Sequence, residues 1–328
     1  MVDNVRMTSE IPGPDPRLAH ALALCAQSAA VTVAPYLRSV ARTVRTFDTK
    51  ADVHDPVTVH DKLVEGALQQ LLCLFVPGSR VLGEERGEVI LPLKNPPSAE
   101  FLRSFSVPTD PQTIDAARRV MKLGQRVRWI VDPIDGTANF AAGGTYFNTS
   151  VAAELDGKVV AGAICVPMLR EVFAADSERA WWSTENGSET RELRANGPRR
   201  EEDAVIVSYY PGLGAWTRHP EQALDHEIRL AKAYQTIRKP GAAALDLARV
   251  AAGWLGVFMA ARLKPWDVAA GIHLVRVAGG SVVNVDLGTG EPDGLRPAVV
   301  ASGANLDAVT AKQVLAELEE SYLQDHPQ

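Results

Sequence analysis

The chain has 328 residues, 46% of them hydrophobic and 23% charged, with a formal net charge of -6. At roughly 150 residues per domain this allows about two domains with a large core that needs no disulfide or metal staples. The composition excludes a collagen-like, disordered or small disulfide-rich protein, and the acidic balance argues against a dominant nucleic-acid or anionic-membrane surface.

Residues 1–17 are polar and rich in proline and lack the basic-then-apolar pattern of a secretory signal, so they read as a flexible arm. Residues 18–42, rich in Ala and Leu, predict a first helix. Thr58 is placed to cap a second, with Asp61 at a favourable acidic position and Pro77-Gly78 as the stop. A short strand at 80–82 runs into Gly83-Glu84-Glu85. Residues 86–126, punctuated by Pro92, Pro96, Pro97, Pro108 and Pro111, read as an insert with one helical piece at 114–123.

Strand character returns at 127–131. Strands at 146–155 and 158–166 flank Asp156-Gly157, a hairpin signal, and 170–175 and 180–183 continue an antiparallel sheet. The polar run 183–202 marks a boundary, which gives an N-terminal α+β domain over 18–190 and a C-terminal domain over 191–328. In the latter, strands at 204–209, 235–238, 255–260, 281–285 and 298–302 alternate with helices at 221–233, 242–253, 267–278 and 305–322, the pattern of a layered α/β domain. No run of eighteen apolar residues is found. The most apolar region, 241–261, is broken by Asp246 and Arg249, so no membrane span is expected. Cys25, Cys73 and Cys165 form no CxxC pair and suit buried, reduced thiols in a cytoplasm. The histidines form no HxxxH or HExxH pair, and neither a Walker loop nor GxGxxG is present.

The most informative segment is Trp129-Ile-Val-Asp132-Pro-Ile134-Asp135-Gly136-Thr137. A hydrophobic strand runs into two carboxylates, and burying them uncompensated costs several kcal/mol, so they need a partner. A divalent cation is the simplest one. Pro133 stiffens the turn and would bring both side chains and the Ile134 carbonyl together. Gly136 allows close backbone approach, and the Gly136 and Thr137 amides can hold phosphate oxygens. Taken alone, the same pattern is a turn with an Asx cap. Glu84 alone is a solvated loop charge and Asp267, in Lys264-Pro-Trp-Asp267, a helix N-cap. Taken together, Glu84, Asp132, Asp135 and Asp267 are four carboxylates at strand ends with no His or Cys among them, which selects Mg²⁺ or Mn²⁺ and matches a two-metal phosphoryl-transfer site.

With these segments the chain resembles the inositol monophosphatase family of metal-dependent, lithium-sensitive phosphatases. The motifs are Asp55-Pro-Val-Thr58-Val-His-Asp61, Gly83-Glu84-Glu85, Asp132-Pro-Ile-Asp135-Gly-Thr137-Ala-Asn139-Phe140 and Trp266-Asp267-Val-Ala-Ala-Gly271. The resemblance implies a layered α-β-α-β-α sandwich, α/β (α+β), of the inositol monophosphatase and sugar phosphatase type, and a homodimer. It implies that Glu84, Asp132, Asp135, Asp267 and the Ile134 carbonyl hold Mg²⁺, and that Thr137 and Asp61, with Glu84, activate the attacking water. Asp135 and the Gly136 and Thr137 amides would meet substrate, Gly241-Ala242-Ala243 would approach its non-phosphate part, and Lys50 and Asp55 would lie just behind the site.

Three departures bear on specificity. Family members that use inositol phosphates commonly carry a glutamate seven residues before the last metal aspartate, where this chain has Ala260. The Gly-Ala-Ala at 241–243 lacks the Ser or Thr that often follows the Gly. And 48 positions separate Glu84 from Asp132, so the insert falls between two ligands, where it would form a lid or a partner contact. The expected activity is hydrolysis of a small hydroxylated metabolite phosphate, inositol-1-phosphatase-like. Histidinol phosphate, a sugar bisphosphate or a nucleotide 3′-phosphate are alternative substrates, although no clear basic cluster for a second phosphate is visible. A regulatory protein that keeps the fold without turnover is the reading from another class. No nucleic-acid partner is expected.

Overall fold

Alanine sets the first contact of the fold. In the computed structural model, which describes residues 15–43, 48–49, 56–92, 103, 105–106, 108–296 and 298–326, helix α1 (Pro16–Val40) lays Ala19, Ala26, Ala30 and Ala34 fully buried on a sheet. Small side chains let its backbone come close. Asp15 caps it by accepting from the Arg17 N–H at 2.9 Å. Helix α2 (Val59–Phe75) starts in a capping box: the Thr58 hydroxyl accepts from the His60 N–H, and Asp61 accepts from the Thr58 N–H. Helix α3 (Pro111–Val120) packs Ala116 and Val120 against α1.

The first sheet contains β3 (Arg80–Gly83), β4 (Gly87–Ile90), β5 (Val127–Asp135), β6 (Asn148–Leu155), β7 (Lys158–Val166), β8 (Glu171–Ala175), β9 (Ala180–Thr184) and β10 (Thr190–Glu192). Their order is β10-β9-β8-β7-β6-β5-β3-β4; β3 and β5 run parallel and every other pair antiparallel. A separate pair, β1 (Asp48–Thr49) and β2 (Pro56–Val57), precedes α2. A five-helical-residue turn, α4 (Thr137–Ala141), follows β5.

The second sheet has β11 (Val205–Ser208), β12 (Thr236–Arg238), β13 (Val257–Ala260), β14 (Ser281–Val285) and β15 (Ala298–Ser302), in the order β12-β11-β13-β15-β14. Helices α5 (Leu213–Arg218) and α6 (Pro220–Ala233) link β11 to β12. Helices α7 (Ala243–Ala251) and α8 (Pro265–Val277) lie between the two sheets, and α6 with α9 (Val309–Asp325) covers the outer face of the second. Three apolar clusters fill the spaces between these layers. The result is the expected α-β-α-β-α sandwich.

Several details differ from the reading of the sequence. The segment taken as an insert from residue 86 begins with β4, an edge strand of the first sheet; its exposed Gly87 and Glu88 hide the strand pattern. The helix inside that segment starts at Pro111, where Asp110 caps it, and its apolar face is spent on α1. The boundary drawn between 190 and 191 falls inside β10, which is exposed and polar because it is the outermost strand. The 241–261 region is not the most membrane-like: α1 has the length and hydropathy of a membrane span, yet its apolar stripe is buried against β6, β7 and α3. Lys50, Asp55 and nearly all of the 1–17 arm lie outside the described residues.

Candidate active site

The pairing of β5 with β6 shifts register between Asp132 and Asp135, and this bulge shapes the site. The Asp132 carboxylate accepts from the Ile134 N–H at 3.0 Å, and Thr149 donates to the Pro133 carbonyl at 2.9 Å. The Pro133-Ile134 turn is thereby fixed, with Asp132 and Asp135 on one side. The chain then needs a left-handed residue. Gly136 has φ +93°, and a Cβ there would lie 2.9 Å from the Tyr146 carbonyl and 3.0 Å from that of Gly241. The Gly136 and Thr137 N–H groups open the first turn of α4, where no intrahelical acceptor exists.

Asp135 is 6% exposed, and several donors converge on its carboxylate. Asn148 donates at 2.6 Å, and the Ala243 and Ala244 N–H groups, at the start of α7, donate at 3.0 and 2.8 Å. The N-terminus of α7 thus faces a carboxylate, as its dipole favours. Burial outweighs these donors and raises the Asp135 pKa from 3.8 to about 6. Asp267 is the third helical residue of α8 rather than its cap, because Pro265 occupies the first turn; it accepts from the Lys264 N–H at 2.6 Å.

Oxygens of Asp132, Asp135 and Asp267 all lie within 4.8 Å of one another. Burial raises the pKa of Asp132 well above the carboxylate range, and the charges of Glu84, Asp135 and Asp267 add to it. Asp267 is raised by burial and then by Asp135. Four acids from three separate segments therefore converge in a setting short of positive charge. Only oxygen donors meet there, which fits a hard divalent cation.

Thr137 Oγ1 lies 3.1 Å from Asp61 Oδ1 and 2.9 Å from the Ile134 carbonyl. Asp61 also accepts from the Thr58 hydroxyl at 2.6 Å, and burial lifts its pKa to about 6. The residues Gly241, Ala242 and Ala243 sit beside these groups, but their N–H groups are engaged. Those of Gly241 and Ala242 donate to Tyr209 Oη at 2.8 and 2.9 Å and that of Ala243 to Asp135, so none keeps a backbone donor for a substrate.

Several supporting residues carry no linear signal. Tyr209 and Tyr146 both donate to the buried Asp246, whose pKa burial raises to about 7. Asn139 donates to the Tyr146 and Pro240 carbonyls, both at 2.8 Å, and ties the α4 turn to the loop before α7. Glu65 accepts from the Glu85 N–H at 2.7 Å, and a Cβ at Gly83 would lie 2.5 Å from its carboxyl carbon. Glu65 thus seats the loop that carries Glu84.

The family model for the inositol monophosphatase family matches residues 18–322. Inositol-1-monophosphatase SuhB of Mycobacterium tuberculosis is 31% identical over 271 residues, 82% of this chain and 80% of that protein. Inositol-1-monophosphatase of Mesorhizobium japonicum is 40% identical over 161 residues, 49% of this chain and 58% of its own length. The chain thus spans little more than half of that rhizobial relative. The crystal structure of extragenic suppressor protein suhB from Bartonella henselae superposes with a TM-score of 0.64 at 28% identity, covering 90% of this chain and 95% of that one. The chain therefore belongs to the inositol monophosphatase family, a family of metal-dependent phosphomonoester hydrolases.

Proposed function

We propose that this protein is a Mg²⁺-dependent phosphomonoesterase that hydrolyses a small hydroxylated metabolite phosphate by direct attack of water. What carries the reading is the meeting of Asp132, Asp135 and Asp267 within 4.8 Å beside the Thr137–Asp61 pair. Glu84, Asp132, Asp135, Asp267 and the Ile134 carbonyl would hold the cation. Bound there, Mg²⁺ supplies Lewis-acid chemistry, drawing electron density from the phosphoryl oxygens.

The protein's own groups do the rest. The N–H groups of Gly136 and Thr137 receive phosphate oxygens and fix the phosphorus opposite the attacking water. The Thr137 hydroxyl has one proton. Donated to Asp61, it leaves the Thr137 lone pairs to accept from that water, so the pair orients the nucleophile and relays its proton. Asp61, with a pKa near 6, is ionised at neutral pH and still basic enough to take the proton. Water adds to phosphorus as the ester P–O bond breaks, the leaving oxygen departs as the alcohol with a proton from solvent, and no covalent intermediate with the protein forms. The test is phosphate release from a panel of esters with Mg²⁺ and with a chelator. Turnover that is strong with Mg²⁺ and absent with chelator is the expected result; release unaffected by chelator, or no release from any ester, overturns the reading.

A further inference from the structure

The start of helix α7 is capped by a residue from a distant part of the chain. Ala242 stands at its N-cap and has no side-chain acceptor, where Ser, Thr, Asn or Asp would close the turn locally. The N–H groups of Gly241 and Ala242 donate instead to the hydroxyl of Tyr209, at 2.8 and 2.9 Å. That hydroxyl donates in turn to Asp246 at 2.6 Å. A phenol has one proton and two lone pairs, so the hydrogen-bonding capacity of Tyr209 Oη is fully used.

The tyrosine is held on several sides. Its N–H donates to the Met259 carbonyl at 2.9 Å, one residue beyond the Ser208–Met259 pair of β11 and β13. Its ring meets that of Phe258 edge-on, with centroids 5.8 Å apart. Asp246 is fully buried and takes a second bond from Tyr146, over whose ring the Arg249 guanidinium lies at 4.8 Å. A buried carboxylate is a costly anchor for a cap that one hydroxyl at position 242 would supply. The arrangement does more than close a helix, because it fixes a phenol hydroxyl at one point.

That point lies beside the turn assigned to phosphate. A Cβ on Gly136 would lie 3.0 Å from the Gly241 carbonyl and 3.2 Å from the Ala242 Cβ, so the two loops touch. The N–H groups that follow, of Ala243 and Ala244, hold Asp135. The body of a substrate whose phosphate rests on the Gly136 and Thr137 N–H groups is therefore within reach of Gly241 and Ala242. Left open, the N–H groups of those two residues would reward a hydroxyl placed there. Tyr209 occupies both, and neither Ala242 nor the fully buried Ala260 at the end of β13 offers a side-chain donor or acceptor instead.

We infer that Tyr209 determines substrate preference: its hydroxyl stands where a substrate hydroxyl would bind, so a polyol ring gains nothing at this wall, and the preferred class is phosphate esters that bind without vicinal hydroxyls. This rests on the phosphomonoesterase reading above and narrows it.

The test compares kcat/KM for inositol 1-phosphate with that for cyclohexyl phosphate, which has the same six-membered ring and no hydroxyls, both with Mg²⁺, in the wild type, Y209L and Y209A. Leu keeps apolar packing on Phe258 but is too short to cover the two N–H groups; Ala uncovers them completely. The wild type is expected to favour inositol 1-phosphate by less than about fivefold, the worth of one net hydrogen bond, and each folded variant to raise that ratio by at least about fivefold through a lower KM for the inositol ester. A tyrosine that only supports the helix would on removal weaken both esters alike and leave the ratio unmoved. Thermal unfolding identifies the folded variants, and the wild-type ratio decides alone if neither folds. A wild type that favours inositol 1-phosphate by more than about fivefold, or a ratio unmoved in a folded variant, overturns the inference. If neither ester is hydrolysed by any form, the phosphomonoesterase reading fails, and calorimetric titration with inositol 1-phosphate and Mg²⁺ judges Tyr209 by itself. Binding at least about fivefold tighter in a folded variant than in the wild type supports the assignment; equal binding, or none to either, overturns it.

Discussion

Replacing Asp135 by Asn separates the two things this carboxylate does. Its pKa is raised from 3.8 to about 6. For an acid with a raised folded pKa, the contribution to stability is full below pH 3.8 and is lost as pH rises through about 6. At pH 7.5 without metal, the ionised Asp135 therefore costs about 3 kcal/mol. Asn removes that cost. It also turns one acceptor into a donor, which strands at least one of the N–H groups of Ala243, Ala244 and Asn148, at about 1–3 kcal/mol. The two terms nearly cancel. For 328 residues, 1 kcal/mol moves the midpoint by about 1.5 °C. Metal-free D135N should thus melt between the wild-type temperature and about 3 °C above it at pH 7.5. Mg²⁺ at one hundred times its Kd adds about 2.7 kcal/mol, or about 4 °C, to the wild type. D135N should gain less than half of that and lose turnover. The assays are thermal unfolding with and without Mg²⁺, and phosphate release. A metal-free D135N that melts more than about 5 °C below the wild type would show that the carboxylate is chiefly structural, and a variant that keeps the Mg²⁺ gain and near-wild-type activity would refute the ligand assignment.

T137V removes the hydroxyl between Asp61 and the Ile134 carbonyl; kcat should fall by about 10²–10³ with less than about 1 kcal/mol change in urea unfolding. G136A forces a Cβ into a left-handed position already walled by two carbonyls, so urea unfolding should register a loss of about 1–3 kcal/mol alongside reduced activity. His273 is held neutral, its pKa lowered to about 4 by burial, with a ring nitrogen 2.8 Å from the Asp176 carbonyl. The unfolded chain takes up that proton first, so stability should drop as pH falls from about 6.5 to about 4, by at most about 3 kcal/mol. H273Q keeps a donor for the carbonyl and should show a shallower acid limb in urea titrations.

The parts of the site that could be read from the chain are those carried by contiguous residues. Asp132 to Thr137 is one strand, one bulge and one turn, and each step has a local cause in Pro133 or Gly136. Thr58 and Asp61 form a capping box, which sequence spacing alone reveals. The Tyr209–Asp246–Tyr146 network has no such signature, because it joins the segment before β6, the end of β11 and helix α7, which lie far apart in the chain and meet only in the fold. Edge strands were hidden for another reason. β4 and β10 are largely exposed and need no alternation of apolar and polar residues, so no periodicity marks them. The short α5 buries none of its residues and leaves no stripe to find.

Gly271 closes the Trp266-Asp267-Val-Ala-Ala-Gly271 segment on helix α8. A Cβ at this position would lie 2.4 Å from the Cβ of Leu247, so α7 and α8 touch backbone to side chain between the two sheets. Helix α7 delivers the donors to Asp135, and α8 carries Asp267 one turn before Gly271. The spacing between two groups of the acidic cluster is thus gauged by a crossing of helices buried well away from solvent. Chemistry at the surface of the cleft is in this sense answerable to the interior. A single added methyl in that crossing acts as a change of calibration, displacing one carboxylate relative to another without touching either.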